Sequence, residues 1–149
     1  MEHWTRRVGL LAALVLLSGC GAEQVDTWSR RLVGHWALRQ MSTDGGHTFR
    51  DVTSPFEFEL YADRTWGDST GDSGRWRLDW TNLVVYHTGW QPTEYFRWQL
   101  FGGDRQLIIT HTDSERRPTR WQSLYVRVTR PMVITRSTSA PLRPGWPSP

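Results

Sequence analysis

The chain has one cysteine, Cys20, and no lysine in its 149 residues. A single thiol excludes an internal disulfide, so the body after Cys20, about 130 residues, must hold together through its core alone, and that length suffices for one ordinary domain. With lysine absent, every basic side chain is an arginine. The arginines are spread along the chain, and only Arg6-Arg7, Arg30-Arg31 and Arg116-Arg117 are adjacent. A net charge of +3 without a basic patch and interleaved aromatics gives no nucleic-acid footprint. Long apolar runs are missing too. The longest, Val8 to Leu17, is about half the roughly twenty residues that a membrane-spanning helix needs. No nucleophile elbow, Cys–His pair, phosphate loop or His-Glu-x-x-His motif occurs, and the carboxylates are scattered. The expectation is a protein that is not an enzyme and carries no cofactor or bound metal.

What is present starts at the N-terminus. Residues 1–7 carry Arg6 and Arg7, residues 8–17 are apolar and uncharged, and Ser18-Gly19-Cys20 follows. A basic start, an apolar core of about ten residues and a small-residue cut site read as an export signal over residues 1–19. Leu17-Ser18-Gly19-Cys20 resembles the lipobox of bacterial lipoproteins. That resemblance implies that Cys20 takes a diacylglycerol on its thiol and becomes the new, acylated N-terminus after cleavage. Two or more acyl chains give stable anchoring where one gives only marginal binding. The resemblance also sets the expected location, the cell envelope: Gly21 rather than Asp after the cysteine resembles the outer-membrane default of bacterial lipoproteins where two membranes exist, and otherwise the anchor lies in the outer face of the cell membrane. Residues 20–30 are expected to form the lipidated end and a tether, with a short helical piece allowed over Val25 to Arg31. The tail, residues 130–149, is rich in Pro, Ser, Thr and Arg and is expected to be disordered.

Between Arg31 and Thr129 the apolar residues alternate with period two, bounded by turn residues, and a helical period is almost absent. Eight strands are expected, over residues 32–41, 56–61, 64–69, 75–80, 83–88, 94–101, 106–112 and 120–129. Their links alternate between tight (62–63, 81–82, 102–104) and long (42–55, 70–74, 89–93, 113–119). In an antiparallel meander, alternate links lie at opposite ends, so the pattern describes an all-β, eight-stranded up-and-down barrel with a closed end and an open mouth.

Leu32-Val33-Gly34-His35-Trp36, followed by a long first link, resembles the Gly-x-Trp opening of lipocalin-like barrels. The run Phe58 to Trp66 followed by Gly74-Arg75-Trp76 resembles the middle of bacterial lipocalin-like domains, although Arg64 stands where that family usually has Gly. The resemblance covers residues 31–129. It implies that Trp36 closes the barrel bottom against a late arginine, Arg127 first and Arg130 second, in a structural role.

Strand parity then selects candidate ligand-binding residues. Phe56, Phe58, Trp76, Trp80 and Trp98 share the inward face, and aromatic walls suit a small apolar or amphipathic ligand. His87, Glu94 and His111 share that face at the mouth, and His47 in the first long link is within reach of the same rim. They are expected to orient a ligand or to form a polar rim, with binding that depends on pH near 6–7, where unperturbed imidazole titrates. The alternative is a protein-binding accessory or inhibitor module that uses the mouth loops. A void of several hundred cubic ångströms would favour the ligand, and a filled barrel the alternative.

Cys20→Ala should abolish fatty-acid labelling and stable membrane attachment. Equal metabolic label on wild type and variant would remove the lipoprotein reading.

Overall fold

The computed structural model describes residues 25–53, 56–89 and 92–132. The expected export signal over residues 1–19, Cys20 and residues 133–149 of the expected tail lie outside these residues. The architecture is all-β apart from one short helix, α1, over residues 25–32. The strands are β1 (Gly34–Ser42), β2 (Arg50–Asp51), β3 (Glu57–Leu60), β4 (Thr65–Asp68), β5 (Ser73–Asp79), β6 (Asn82–His87), β7 (Glu94–Phe101), β8 (Gln106–Thr112) and β9 (Pro118–Val128). Consecutive strands from β3 to β9 pair antiparallel, and β1 pairs with both β3 and β9. Eight strands therefore close into a barrel. The two-residue β2 adds to β1 beyond the end of its pairing with β3.

Cross-strand partners preserve the alternation read from the sequence. Trp36 lies opposite Phe58, Trp76 opposite Val85, Leu83 opposite Phe96, Trp98 opposite Ile109, and Leu107 opposite Tyr125. These inward residues form one core cluster with the buried Leu32 of α1, with the partly buried Trp98 packed against it. The tight turns after β3, β5 and β7 share one end of the barrel. The links of residues 43–49, 69–72, 88–93 and 113–117 share the other.

The closed end is built around Trp36, which has no solvent exposure. Its indole Nε1 donates to the Leu32 carbonyl (2.9 Å), and the Arg127 guanidinium lies 4.4 Å from its ring centroid. Arg127 in turn donates to the carbonyls of Val33 (2.7 Å), Arg31 (2.5 Å) and Asp104 (2.8 Å). One side chain thus joins the C-terminal end of α1, where carbonyls lack helical partners, to the β7–β8 turn and the Trp36 face. Gly34 makes room for it: a Cβ there would meet Arg127 Nη1 at 2.4 Å, and the backbone adopts φ +142°. Arg130, the second candidate, takes a different place. It pairs with Glu57 on the outer wall, and its carbonyl accepts from His35 Nδ1 (2.7 Å).

Helix α1 lies across this closed end. Trp28 meets Trp98 edge-to-face at 5.7 Å, Asp26 is 3.5 Å from Arg64 in the β3–β4 turn, and Arg31 pairs with Asp104 in the β7–β8 turn. Two expected boundaries are thereby corrected. Residues 25–30 belong to the folded body rather than to a tether, because Val25, Trp28, Ser29 and Leu32 bury surface against the barrel. Residues 130–132 are not a free tail, because Arg130 serves the buried His35–Glu57 pair and Met132 lies near Gly67 of β4.

Trp80 is a third correction. It was expected to point inward, but β5 ends at Asp79 and Trp80 occupies the β5–β6 turn with φ +47° and 70% exposure. The turn needs a left-handed residue there, and that backbone change breaks the alternation. Trp36→Ala should lower unfolding free energy by about 3–5 kcal/mol, as truncation of a buried aromatic does. Trp80→Ala should change it by less than about 0.5 kcal/mol, as exposed substitutions do. Denaturant titration of the two variants checks the contrast.

Candidate functional site at the barrel mouth

Above the closed end the interior keeps a void of about 80 Å³. Its walls are apolar, from Leu38, Phe56, Phe58, Leu60, Trp66, Leu83, Val85, Phe96 and Ile109. Its polar groups are Asp68, His87, Glu94, His111, Ser123 and the Tyr125 hydroxyl. Nearer the mouth lies a wider groove of about 490 Å³, lined by Met41, Val52 and Trp121 together with Thr43, Asp44, Thr48, Arg50 and Asp51. Met41 and Trp121 are the next inward positions above Leu38 and Ser123, so the groove lies on the mouth side of the void, with which it shares no lining residue.

Register explains why the polar groups meet. Val85 pairs with Glu94, and His87 is one inward step further along β6. The buried His87 side chain sets Nδ1 2.8 Å from Asp72 Oδ2, which fixes the ring orientation. Nε2 lies 3.2 Å from Glu94 Oε2 but is not aligned for a hydrogen bond with it. Trp66 packs edge-to-face on the imidazole at 5.2 Å. Gly74 stands between those two rings in the register, and a Cβ there would meet the Tyr86 carbonyl oxygen at 1.8 Å, so only glycine fits.

His111 pairs with Phe96 across β7–β8 and contacts its ring edge-to-face at 5.5 Å. The β8–β9 register shifts between Thr110 and Thr112, but the pairing with β7 is unbroken, so His111 keeps the inward face of Phe96. Its Nε2 lies 3.2 Å from Ser123 Oγ. Asp68, opposite Phe58, is buried and accepts from Thr70 N (2.9 Å), Thr70 Oγ1 (2.6 Å) and Asp72 N (3.0 Å). It thereby shapes the link that delivers Asp72 to His87.

The sequence candidates sort as follows. Phe56, Phe58, His87, Glu94 and His111 all line the void. Trp76 is buried but belongs to the closed end, where its Nε1 donates to the Tyr61 carbonyl (3.1 Å) and Arg64 stacks on it at 4.8 Å. Trp98 packs against Trp28 and does not reach the void. Trp80 faces solvent, and His47 is exposed and away from the lining. Ser123 and Tyr125 were missed, although their parity in β9 was legible. Asp68 was missed too, although it shares the parity of Trp66 in β4. Asp72 carried no sequence signal, because its role arises in a link whose shape is set by side-chain-to-backbone hydrogen bonds. Among the described residues, no group of three or more His, Cys, Asp or Glu is placed to hold a metal ion.

Burial pushes the His111 imidazole down to about 4, because its charged form has little solvent inside the barrel. His111 is therefore neutral at pH 6–7, and a pH-dependence of binding in that range does not come from it, contrary to the expectation for the pair. The consequence appears in stability instead. An unfolded chain protonates this histidine near pH 6.5, while the folded chain waits until about 4. Between those values the unfolded state binds more protons, so this contribution to stability is full above about 6.5, is lost as pH falls to about 4, and is flat below. The difference is on the order of 3 kcal/mol. His111→Phe should flatten the stability profile between pH 6.5 and 4 by that order, as read by denaturant unfolding. An unchanged slope would assign the acid sensitivity to other groups.

No family model, characterised protein or solved structure gives a significant match to this chain. Its architecture therefore stands on the coordinates themselves: an antiparallel eight-stranded barrel, sealed at one end by Trp36, Arg127 and α1, with a partly polar void opening at the other.

Proposed function

We propose that this chain is a lipoprotein of the cell envelope, anchored through Cys20, whose barrel binds a small apolar or amphipathic molecule at its mouth. The observation that carries the binding reading is a void whose apolar walls are joined by a few polar groups on its mouth side, His87, Glu94 and Ser123 among them. A ligand with a slender apolar part fits the void of about 80 Å³, which is about half the roughly 150 Å³ that accepts a benzene-sized guest. Its bulkier part belongs in the mouth groove of about 490 Å³, within the range of small-molecule sites. His87 Nε2, Glu94 and Ser123 are the groups beside which a polar substituent would sit. Binding by shape and a few polar groups requires no reaction, so the reading is a carrier or sensor rather than an enzyme.

A second reading is favoured by one observation: the deep void of about 80 Å³ falls short of the several hundred cubic ångströms that would favour a ligand inside the barrel, and side chains fill the rest. On that reading the mouth loops dock a protein, as an accessory or inhibitor module does.

Native mass spectrometry of the purified protein should show a co-purified small molecule, and an apolar fluorescent probe should be displaced by it. Val85→Phe places a ring in the void and should weaken probe binding at least about tenfold, at a stability cost of about 1–3 kcal/mol. Tyr86→Ser, on the outer wall, should leave binding unchanged. Equal binding by wild type and Val85→Phe would remove the ligand reading and leave the mouth loops as the functional surface.

A further inference from the structure

Four large hydrophobic side chains are exposed among the described residues: Tyr61, Trp80, Tyr86 and Phe101. Three of them sit at the closed end, one at each tight turn. Tyr61 follows β3, Trp80 occupies the β5–β6 turn, and Phe101 ends β7. Successive turns are two strands apart, about 10 Å along the rim, so the three rings are spread around the base instead of forming one pocket. Trp80 is the most exposed, at 70%, and takes a left-handed backbone conformation that glycine or asparagine would hold at less cost. Neither the core nor the turn geometry accounts for an indole at that position.

The chain enters the barrel at this same end. Helix α1 begins at Val25, and only Gly21 to Gln24 separate it from Cys20. Five residue steps span at most about 18 Å when fully extended. A lipid on Cys20 therefore holds the closed end, and not the mouth, within about 18 Å of a bilayer surface. Aromatic side chains with an apolar body favour the headgroup level of a membrane. Three spread contacts match a flat surface, whereas a bound peptide would require one contiguous groove. Charges of both signs stand at this end: Arg30 and Arg64 share Asp26, and Arg31 pairs with Asp104.

We infer that the closed end is a membrane-docking face: Tyr61, Trp80 and Phe101 enter the interfacial layer of the bilayer that carries the lipid anchor, and the barrel stands with its mouth directed away from the membrane. This rests on the proposed lipidation of Cys20 and adds an orientation to it. It also implies that a ligand reaches the barrel from the aqueous side and is not extracted from the bilayer beneath.

The test uses the full, lipidated protein in vesicles of phosphatidylethanolamine and phosphatidylglycerol. Because Cys20 is the only cysteine and its thiol is consumed by the lipid, a single new cysteine can carry an environment-sensitive fluorophore. Thr81→Cys reports on the closed end and Glu115→Cys on the mouth, and both positions are exposed. The expected result is a blue-shifted probe at position 81 that is quenched by lipid-borne quencher and several-fold less accessible to iodide than the probe at position 115. Combined Tyr61→Ser, Trp80→Ser and Phe101→Ser changes in the Thr81→Cys background should restore iodide access while the protein stays on the vesicles and keeps its circular dichroism spectrum. Protein that is retained on vesicles with equal iodide access at both positions overturns the docking face alone, with the lipoprotein reading intact. Protein that is not retained and takes up no fatty-acid label overturns both.

Discussion

Arg127 is the contact on which the rest of the structure depends. A cation placed over the Trp36 ring gains about 0.5–2 kcal/mol from the ring quadrupole when partly desolvated, and its three backbone acceptors lie in α1, in the residue that follows it and in the β7–β8 turn. Those elements are far apart in the chain, and Arg127 itself comes from the last strand. Its bonds form only when the first and last strands have paired, so the same side chain seals the base and marks closure of the barrel. Gly34 is the geometric condition for this arrangement, since any Cβ would occupy the volume of the guanidinium.

With the base sealed, the polar groups of the interior are confined to the upper part of the barrel. Large rings at Trp36, Trp76 and Trp98 take up the lower volume, and the smaller Val85, Leu83 and Ile109 leave the void above them. His87 is held there by Asp72 on one nitrogen and faces Glu94 with the other. A buried imidazole flanked by two carboxylates is costly to place inside a barrel unless each group finds partners. The register supplies those partners by aligning β6, β7 and the link before β5. His111, by contrast, has a ring contact and a hydroxyl, and it behaves as a neutral, buried group whose protonation opposes folding.

A division of labour between the two ends follows. The mouth carries the groove, and its first link is tied down by the Gly45 N–H to the Arg120 carbonyl (3.0 Å) and by Asp44, which accepts from Ser42 Oγ (2.6 Å) and Thr48 N (3.0 Å). The base carries α1 and the exposed aromatic turns. Between them, the outer wall buries one ionic group, in which His35 Nε2 lies 2.9 Å from Glu57 Oε2 and Arg130 pairs with the same carboxylate. That group fastens residue 130, after β9, against β1 and β3.

The sequence alone determined the eight barrel strands, their order and the two unlike ends, because side-chain direction alternates with period two and link length dictates which strands can be neighbours; it did not show the two-residue β2, which lies within the expected first link. The same alternation placed His87, Glu94 and His111 on the inner face; the pairing of Trp36 with Arg127 came instead from the resemblance to lipocalin-like barrels. Tertiary structure decided what alternation cannot express. Trp80 left the inner face when the turn took a left-handed residue. Trp76 and Trp98 became packing because the volume of the rings already at the base left them no void to line. Glu57, outward by parity, became buried when His35 and Arg130 covered it. Asp72 reached His87 through a link shaped by Asp68. Parity is a property of each strand by itself, whereas cavity volume, cover and desolvation depend on how many side chains from different strands occupy the same space, and that is settled only when the barrel closes.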